Sequence, residues 1–500
     1  MVVSQSNDAA VAGITVLDAG GNAADAAVAT ALALAATEPW NSGLGGIGFA
    51  LIHPAGQPCA TTIDFGPRAP AQLTPDRFRL TGRTGADLFA WPEVEGDANV
   101  HGPLSFVIPS AVAGYRLLHE RFGRLPLADV AAPAIALARR GLPQDWFTTL
   151  KIANAASILR CYAESARLYL PNGLPPVPPY QGLPRFMPLG RLADTLDRLA
   201  SAGWADFYHG DIAASLIQDV AAMDGVLGTA DLAGCVAATT PVQDVPWPSG
   251  RRPDAVLQVA PGLTAGPTLA DIVRHMPEAN QPDASWFAGL AQALRHAYAR
   301  RLAGEPATAE SCTSHLTVCD ADGTMVSMTT TLLSSMGSRV VLPGTGVLMN
   351  NGVMWFDPRP MTETGGVPNA IEPGARPLCN MCPVILRDGD TPVLAAGASG
   401  GRRIVAAVTQ LVAFTHAFGM DPATAAHHPR IDVSGTDTVT ADDRLAPDVL
   451  DALYATGLLD VVEHGVLPVN FACPNLIAIE DGVRTGVSDV MSPWSAALAQ

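Results

Sequence analysis

Two threonines, Thr313 and Thr331, and a glycine pair, Gly400 and Gly401, are the residue types from which an amide-cleaving site can be assembled. A threonine hydroxyl can act as a nucleophile without a neighbouring His–Asp pair when its own α-amine serves as the base. That amine has an unperturbed pKa of about 8, so a usable fraction is neutral at working pH. An internal threonine has no free amine, and this chemistry therefore requires a cut between Cys312 and Thr313. Attack on a carbonyl also needs donors for the developing oxyanion, and losing one such donor typically adds roughly 3–4 kcal/mol to the barrier. Gly400-Gly401 falls between an apolar strand and a helical stretch, where backbone N–H groups at a helix N-terminus are exposed; an ordinary tight turn is the plainer reading. Cys312 is the rival nucleophile. His315 shares the Thr313 face and is assigned to ordering the site rather than to acting as its base.

These side chains depend on a hairpin. Leu316 and Val318 alternate with Thr317 and Cys319, the two-residue period of a strand with one buried face. Ala321-Asp322-Gly323 reads as a three-residue loop with Gly323 at its φ > 0 position. The return strand spans 324–332. Only one register matches the two apolar faces, with Val318 against Val326 and Leu316 against Met328. Extended to its end, it sets Thr313 opposite Thr331, with Ser327 and Thr329 on the same face. Threonine is common in strands, so this face alone does not establish a site.

The remaining elements follow in order. Helical patterns at 9–17 and 23–36 are separated by Gly20-Gly21, with Asn22 as the second helix's cap. The run Ser42-Gly43-Leu44-Gly45-Gly46-Ile47-Gly48 leads into an apolar strand at 49–52. No Gly-Lys-Ser/Thr follows and the strand comes after the glycines, which points to close backbone packing rather than phosphate binding. A strand at 60–65 precedes helices at 110–122, 127–139 and 145–159, and a Pro/Gly-rich irregular stretch covers 171–188. Helical periodicity returns at 192–202, 211–223 and 284–302. Strands at 384–386 and 393–396 then lead to a helix at 404–418. Helices and strands come in blocks of two, which predicts an α+β fold with two sheets sandwiched between helical layers.

With 500 residues, 48% of them hydrophobic, the chain can bury a large core. A net charge of −17 argues against nucleic acid as a partner. The longest weakly polar run, 26–37, is too short to span a membrane, and no basic stretch followed by an apolar one opens the chain; a cytoplasmic, membrane-free protein is expected. Eight scattered cysteines read as reduced core thiols rather than a disulfide framework. Cys379-Asn380-Met381-Cys382 has no second pair at zinc spacing, and adjacent His427-His428 would point apart on a helix. No metal or cofactor is expected.

The ordered motifs resemble the gamma-glutamyltranspeptidase family of N-terminal-nucleophile hydrolases. The resemblance covers nearly the whole chain: Gly20 to Val28, Ser42 to Gly48, Thr313-Ser314-His315, Asp322-Gly323, Asn350-Asn351, Arg376-Pro377-Leu378, Ser399-Gly400-Gly401 and Pro429-Arg430. It implies a four-layer αββα sandwich and a proenzyme that cuts itself into a large subunit, 1–312, and a small catalytic subunit, 313–500, intertwined as one domain. It implies Thr313 as nucleophile, Thr331 as the hydroxyl that assists it, and Gly400 and Gly401 as the oxyanion hole. A homodimer of processed heterodimers is the further expected assembly.

Departures from the family pattern bear on the substrate. By spacing from flanking motifs, the residues that hold a glutamyl head group in glutathione-cleaving members fall at Gly66, Leu333, Gly352, Trp355 and Cys379-Asn380. A zwitterion there would lose charge-assisted hydrogen bonds of roughly 1.5–3 kcal/mol each. Arg68, two residues past the expected arginine, is a candidate for a lone carboxylate, and Asn351, Trp355 and Asn380 complete the candidate substrate contacts. The run Asn350 to Pro358 is most similar to the oxamate amidohydrolase-like branch, which implies hydrolysis of a small carboxylate-bearing amide. The loop 357–377 looks shorter than the lid-bearing loop of some relatives, which would leave the site more open. The alternatives are a gamma-glutamyl hydrolase or transferase with substitute contacts and, in another class, a thiol-redox or metal-binding protein using the C-x-x-C pair.

Overall fold

The computed structural model describes residues 1–84, 91–247, 250, 252–301, 312–360, 363, 369–434 and 437–500. Glu310 and Ser311, and the side chain of Cys312, lie outside the described residues. Two antiparallel sheets stack face to face. The first has seven strands, in spatial order Ala496–Leu498, Val2–Ser4, Cys312–Cys319, Met325–Leu333, Ile47–His53, Thr61–Phe65 and Ala238–Pro241. The second has six, in order Val483–Ser488, Cys473–Glu480, Thr391–Ser399, Val384–Asp388, Ala255–Val259 and Gln243–Pro246. Val3, Leu51, Met325, Ile385, Ala395 and Ile477 fill the space between them. Helices Asn7–Asp18, Ala23–Thr37 and Ala111–Phe122 cover the first sheet, with Leu127–Arg140 packed on Ala23–Thr37; Gly266–His275 and Ile404–Val412 cover the second, with Ala284–Arg301 packed on Gly266–His275. This is the expected αββα order. Both sheets mix strands from the two sides of the Cys312–Thr313 bond.

The hairpin has the register read from its apolar faces: Val318 pairs with Val326 and Leu316 with Met328. Gly323 takes φ 93° at the end of the loop, a conformation that side-chain-bearing residues rarely adopt. The glycine-rich stretch serves close packing. A Cβ at Gly46 would lie 2.7 Å from the Thr331 carbonyl, and one at Gly48 would overlap that of Thr329. All of Ala23–Thr37 is buried. Its small side chains admit close neighbours, so this run is a core helix rather than a surface one.

Three differences from the sequence reading have local causes. The 404–418 helix is regular only through Val412 and continues as a wider turn over Ala413–Ala417, where Phe418 N–H bonds back to the Ala413 carbonyl at 3.0 Å. Val2–Ser4 is too short to show alternation yet forms a strand against Leu316–Val318. Cys59 and Cys161 are exposed thiols rather than core ones; Cys319, Cys379 and Cys382 are buried and unpaired. No described helix is long and apolar enough to cross a membrane.

One buried carboxylate ties the helical layer together. Asp25 accepts the backbone N–H groups of Asn22 at 3.0 Å and Arg124 at 2.9 Å. Replacing it with alanine orphans those donors, and Asp25→Ala is expected to lower stability by about 3 kcal/mol, read from denaturant unfolding.

Candidate active site

Thr313 stands where the hairpin ladder breaks. Pairing runs regularly to Ser314–Thr330 and then slips, so that Cys312 meets Leu333 and Thr313 alone faces Thr331 and Leu332, a bulge in the partner strand. A bulge re-aims the side chains it carries, here that of Thr331. The Thr313 hydroxyl donates to Thr331 Oγ1 at 3.3 Å, and Thr331 Oγ1 also accepts the Leu333 N–H at 2.8 Å. Leu333 makes that turn in the left-handed region, at φ 88°. Thr313 is only 3% exposed, yet it opens onto a cavity of about 300 Å³.

The strand behind Thr313 is fixed by polar side chains from distant segments. Ser42 Oγ donates to Ser314 Oγ at 3.0 Å, which donates to Glu38 Oε2 at 2.9 Å. Burial pushes the Glu38 carboxyl up from its usual range, opposed by the Ser314 hydrogen bond and by the positive charge of Lys151. Gln5 accepts the His315 N–H at 3.1 Å and donates to Ser399 Oγ at 2.5 Å, spanning the two sheets. Asn475 donates to the His315 carbonyl at 2.7 Å and accepts from Thr317. The His315 ring meets Thr329 Oγ1 at 2.9 Å, and burial lowers its pKa to about 3, so it is neutral at working pH. A Cβ at Gly397 would overlap this ring.

Gly400 lines the same cavity at φ 139°, and a Cβ there would lie 2.7 Å from Ala472 Cα. Gly401 opens the tight turn Gly401–Arg403 that leads into the Ile404–Val412 helix. The arrangement thus brings the Thr313 hydroxyl, bonded to that of Thr331, and Gly400 at the start of a helical turn to one cavity.

The four candidate substrate contacts are not part of it. Arg68 is exposed and donates to the Gly374 carbonyl at 3.2 Å, and Asn380 accepts from Arg301 at 3.4 Å. Trp355 is buried in an apolar cluster. Asn351 lies behind the cavity wall, where it donates to Ser334 Oγ at 2.6 Å and accepts the Ser334 N–H. The positions where glutamyl contacts would fall have closed up. Leu333, Trp355 and Cys379 share one hydrophobic cluster with Phe49 and Val107. Cβ atoms at Gly66 and Gly352 would overlap Phe49 and Val107. The loop 357–377 lies partly outside the described residues, and none of its described residues lines the cavity.

The rest of the cavity lining is largely polar and cationic. It includes Gln5, Glu38, Asn41, Lys151, Arg339 and Arg403, none of which the motif reading singled out. One signal was available: Lys151 is the only lysine in the chain. Outside this cavity, burial raises the thiols of Cys379 and Cys382 to about 12, which makes them poor nucleophiles and poor redox thiols. His428 packs its ring against Phe414 with centroids 4.4 Å apart. Asp271, His275 and His296 come together on two helices, but Asp271 already pairs with Arg274 and Arg300.

A four-layer sandwich with a hydroxyl at the head of a central strand defines an N-terminal-nucleophile hydrolase. The gamma-glutamyltranspeptidase family model matches residues 9–312 and 294–496. The chain is 31% identical over 545 residues to the glutathione hydrolase proenzyme of Escherichia coli (strain K12), across 98% of this chain and 90% of that one. It is 29% identical over 497 residues to the acylase ACY 1 proenzyme of Pseudomonas sp. (strain SE83), across 91% and 86%. Among solved structures it is similar to cephalosporin acylase from Bacillus halodurans, with TM-score 0.82 and 25% identity over 100% of this chain and 96% of that one. The chain belongs to the gamma-glutamyltranspeptidase family. With that membership it is an enzyme of amide-bond hydrolysis or transfer.

The cavity wall at Met491 and Ser492 hangs on a buried ion pair. Arg430 donates to Asp489 Oδ2 at 2.6 Å, and Asp489 Oδ1 accepts the Met491 N–H at 2.9 Å. Burial favours the neutral acid, but the His464 hydrogen bond and the Arg430 charge hold Asp489 well below the usual carboxylate range. A depressed pKa adds stability that is complete above the unfolded value of about 4 and is lost as pH falls toward the folded value. Thermal melts should therefore drop steeply below pH 4. Asp489→Asn should flatten that slope and cost about 3–5 kcal/mol at neutral pH.

Proposed function

We propose that the chain is a self-processing amidohydrolase that uses Thr313 as nucleophile and acts on a small carboxylate-bearing amide. One observation carries the substrate reading: Leu333, Trp355 and Cys379, at three of the positions that would hold a glutamyl head group, lie in an apolar cluster, while Thr313 opens on a separate cavity with cationic walls. Hydrolysis of the Cys312–Thr313 bond takes up one water and leaves a carboxylate on Cys312 and an α-amine on Thr313. The two pieces remain interleaved, because each sheet contains strands of both.

In the mature enzyme the Thr313 oxygen attacks the substrate carbonyl carbon and its proton passes to the α-amine. The Thr331 hydroxyl, already in contact, orients that oxygen. Backbone N–H groups of Gly400 and Gly401 receive the oxyanion. The ammonium returns the proton to the leaving amine as the C–N bond breaks, leaving an ester on Thr313. A water deprotonated by the same amine then releases the acid and restores the hydroxyl.

The second reading, a gamma-glutamyl hydrolase or transferase, is favoured by the similarity to a glutathione hydrolase proenzyme. Turnover of a gamma-glutamyl anilide alongside small amides separates the two. Brisk, saturable release of the anilide with no turnover of carboxylate-bearing amides would replace the first reading with the second.

Intact-mass analysis should find two fragments meeting at Cys312 and Thr313 in the wild type and one chain in Thr313→Ala, with hydrolysis at background. Gly400→Ala, strained by its φ and crowded by Ala472, should lower kcat by roughly 10²–10³-fold.

A further inference from the structure

The chain contains thirty basic side chains, and a single one of them is a lysine. That residue, Lys151, lines the cavity of Thr313. It sits on the helix Trp146–Leu159, which starts from an Asp145 cap, and Phe147, Lys151, Asn154 and Ala155 together present one face of that helix to the cavity. The spacing of i, i+4, i+7 and i+8 is the face repeat of an α-helix. The Lys151 ammonium lies 5.0 Å from the centre of the Phe147 ring. That ring is in turn wedged edge-on between Trp40 and Trp494. The lysine stem therefore rests on a rigid aromatic support.

The cations on this wall differ in what they already hold. Arg339 donates to the Gly337 carbonyl at 2.6 Å and to Ser334 Oγ at 2.9 Å. Arg403 donates to the Val469 carbonyl. Both are engaged in holding loops. Glu38, the one carboxylate on the wall among the described residues, is committed to Ser314 and to Asn41, and it feels Lys151 only as a charge at longer range. Among the described residues, Lys151 has no hydrogen-bond acceptor and no carboxylate within ion-pair distance. An ammonium has three donors on a flexible stem and is strongly hydrated, so burying it against a ligand is favourable when that ligand brings a charged acceptor. Apolar Val466, Leu467 and Met491 line the same space and suit a short hydrocarbon spacer.

The geometry points to Lys151 as the residue that receives the free carboxylate of the substrate's acyl group, so that the preferred substrate is a monoamide of a small dicarboxylic acid. This rests on the reading of Thr313 as nucleophile, at which the amide end would lie. It assigns the acid-binding role to the helix facing Thr313, not to the segment around Arg68. Lys151 is thus a specificity-determining residue, and the negative charge it binds is carried by the ligand.

Binding of the product acids tests this without needing turnover. Succinate and glutarate are titrated into wild-type, Lys151→Met and Lys151→Arg protein by calorimetry, with succinamide, the uncharged diamide, as control. The wild type is expected to bind at least one diacid saturably. Lys151→Met should weaken that binding at least tenfold and Lys151→Arg by less, while all three treat the diamide alike. A second readout uses the lone lysine directly. Reductive methylation with ¹³C-formaldehyde labels it with one dimethyl-amine NMR signal, identified by its loss in Lys151→Arg. That signal should shift with diacid over the range of the calorimetric titration. Equal diacid affinity in wild type and Lys151→Met, or no diacid binding by the wild type, overturns the inference. If amides are hydrolysed through Thr313 while Lys151→Met binds diacids as the wild type does, the nucleophile stands and the acid site falls. If diacid binding depends on Lys151 but no amide is turned over, the acid site stands and the hydrolase reading falls.

Discussion

The site depends on one break in a ladder. From Cys319–Met325 to Ser314–Thr330 the hairpin is held in a fixed register, because a slip of one residue would turn Leu316, Val318, Val326 and Met328 out of the core. Opposite Thr313 the partner strand carries one extra residue, and the Thr313 side chain meets the Thr331 hydroxyl. A residue at the end of a regular strand would fray. Here the bulge is bounded by Leu333, whose left-handed backbone lets its N–H return to Thr331. The position of the Thr313 hydroxyl is thus set by backbone geometry before any substrate arrives.

Much of the surrounding architecture keeps that hairpin still. Glycines 45, 46 and 48 let the loop and strand beside it approach to backbone contact. Gln5 and Asn475 bond to the backbone of His315, the first from the start of the chain and the second from the other sheet. Glu38 and Ser42 hold Ser314 from the segment after the Ala23–Thr37 helix. Such fully satisfied buried polar groups make alternative packings expensive, since each would leave a donor or acceptor unpaired. The interleaving of strands from both sides of residue 312 has a related consequence: a backbone cut there removes one peptide bond and leaves both sheets paired.

What could be read from the sequence, and what could not, follows from range. The hairpin register was legible because two short apolar alternations constrain each other across a three-residue loop. Asn22 as a cap and the close-packing use of Ser42 to Gly48 were legible for the same local reason, and the structure has both. The bulge was not, because it is set by the backbone turn at Leu333. Gln5, Glu38 and Asn475 were invisible because they reach Ser314 and His315 across more than a hundred residues of chain. Spacing showed that glutamate-holding side chains were missing but not that Leu333, Trp355 and Cys379 would collapse into one apolar cluster. It also suggested Arg68, whose side chain instead bonds a neighbouring loop. Lys151 carries no motif, only its singularity.

The central claim is that the Thr313 oxygen carries the acyl group during turnover. The direct measurement is mass spectrometry of enzyme quenched in acid during steady hydrolysis of a slow amide substrate, with peptide mapping of the small fragment. The account predicts a mass increase equal to the acyl group on the fragment that begins at Thr313, confined to its first residue and absent in Thr313→Ala. An acyl adduct on Cys312 or any other side chain, or turnover by an uncut chain with no adduct, would contradict it.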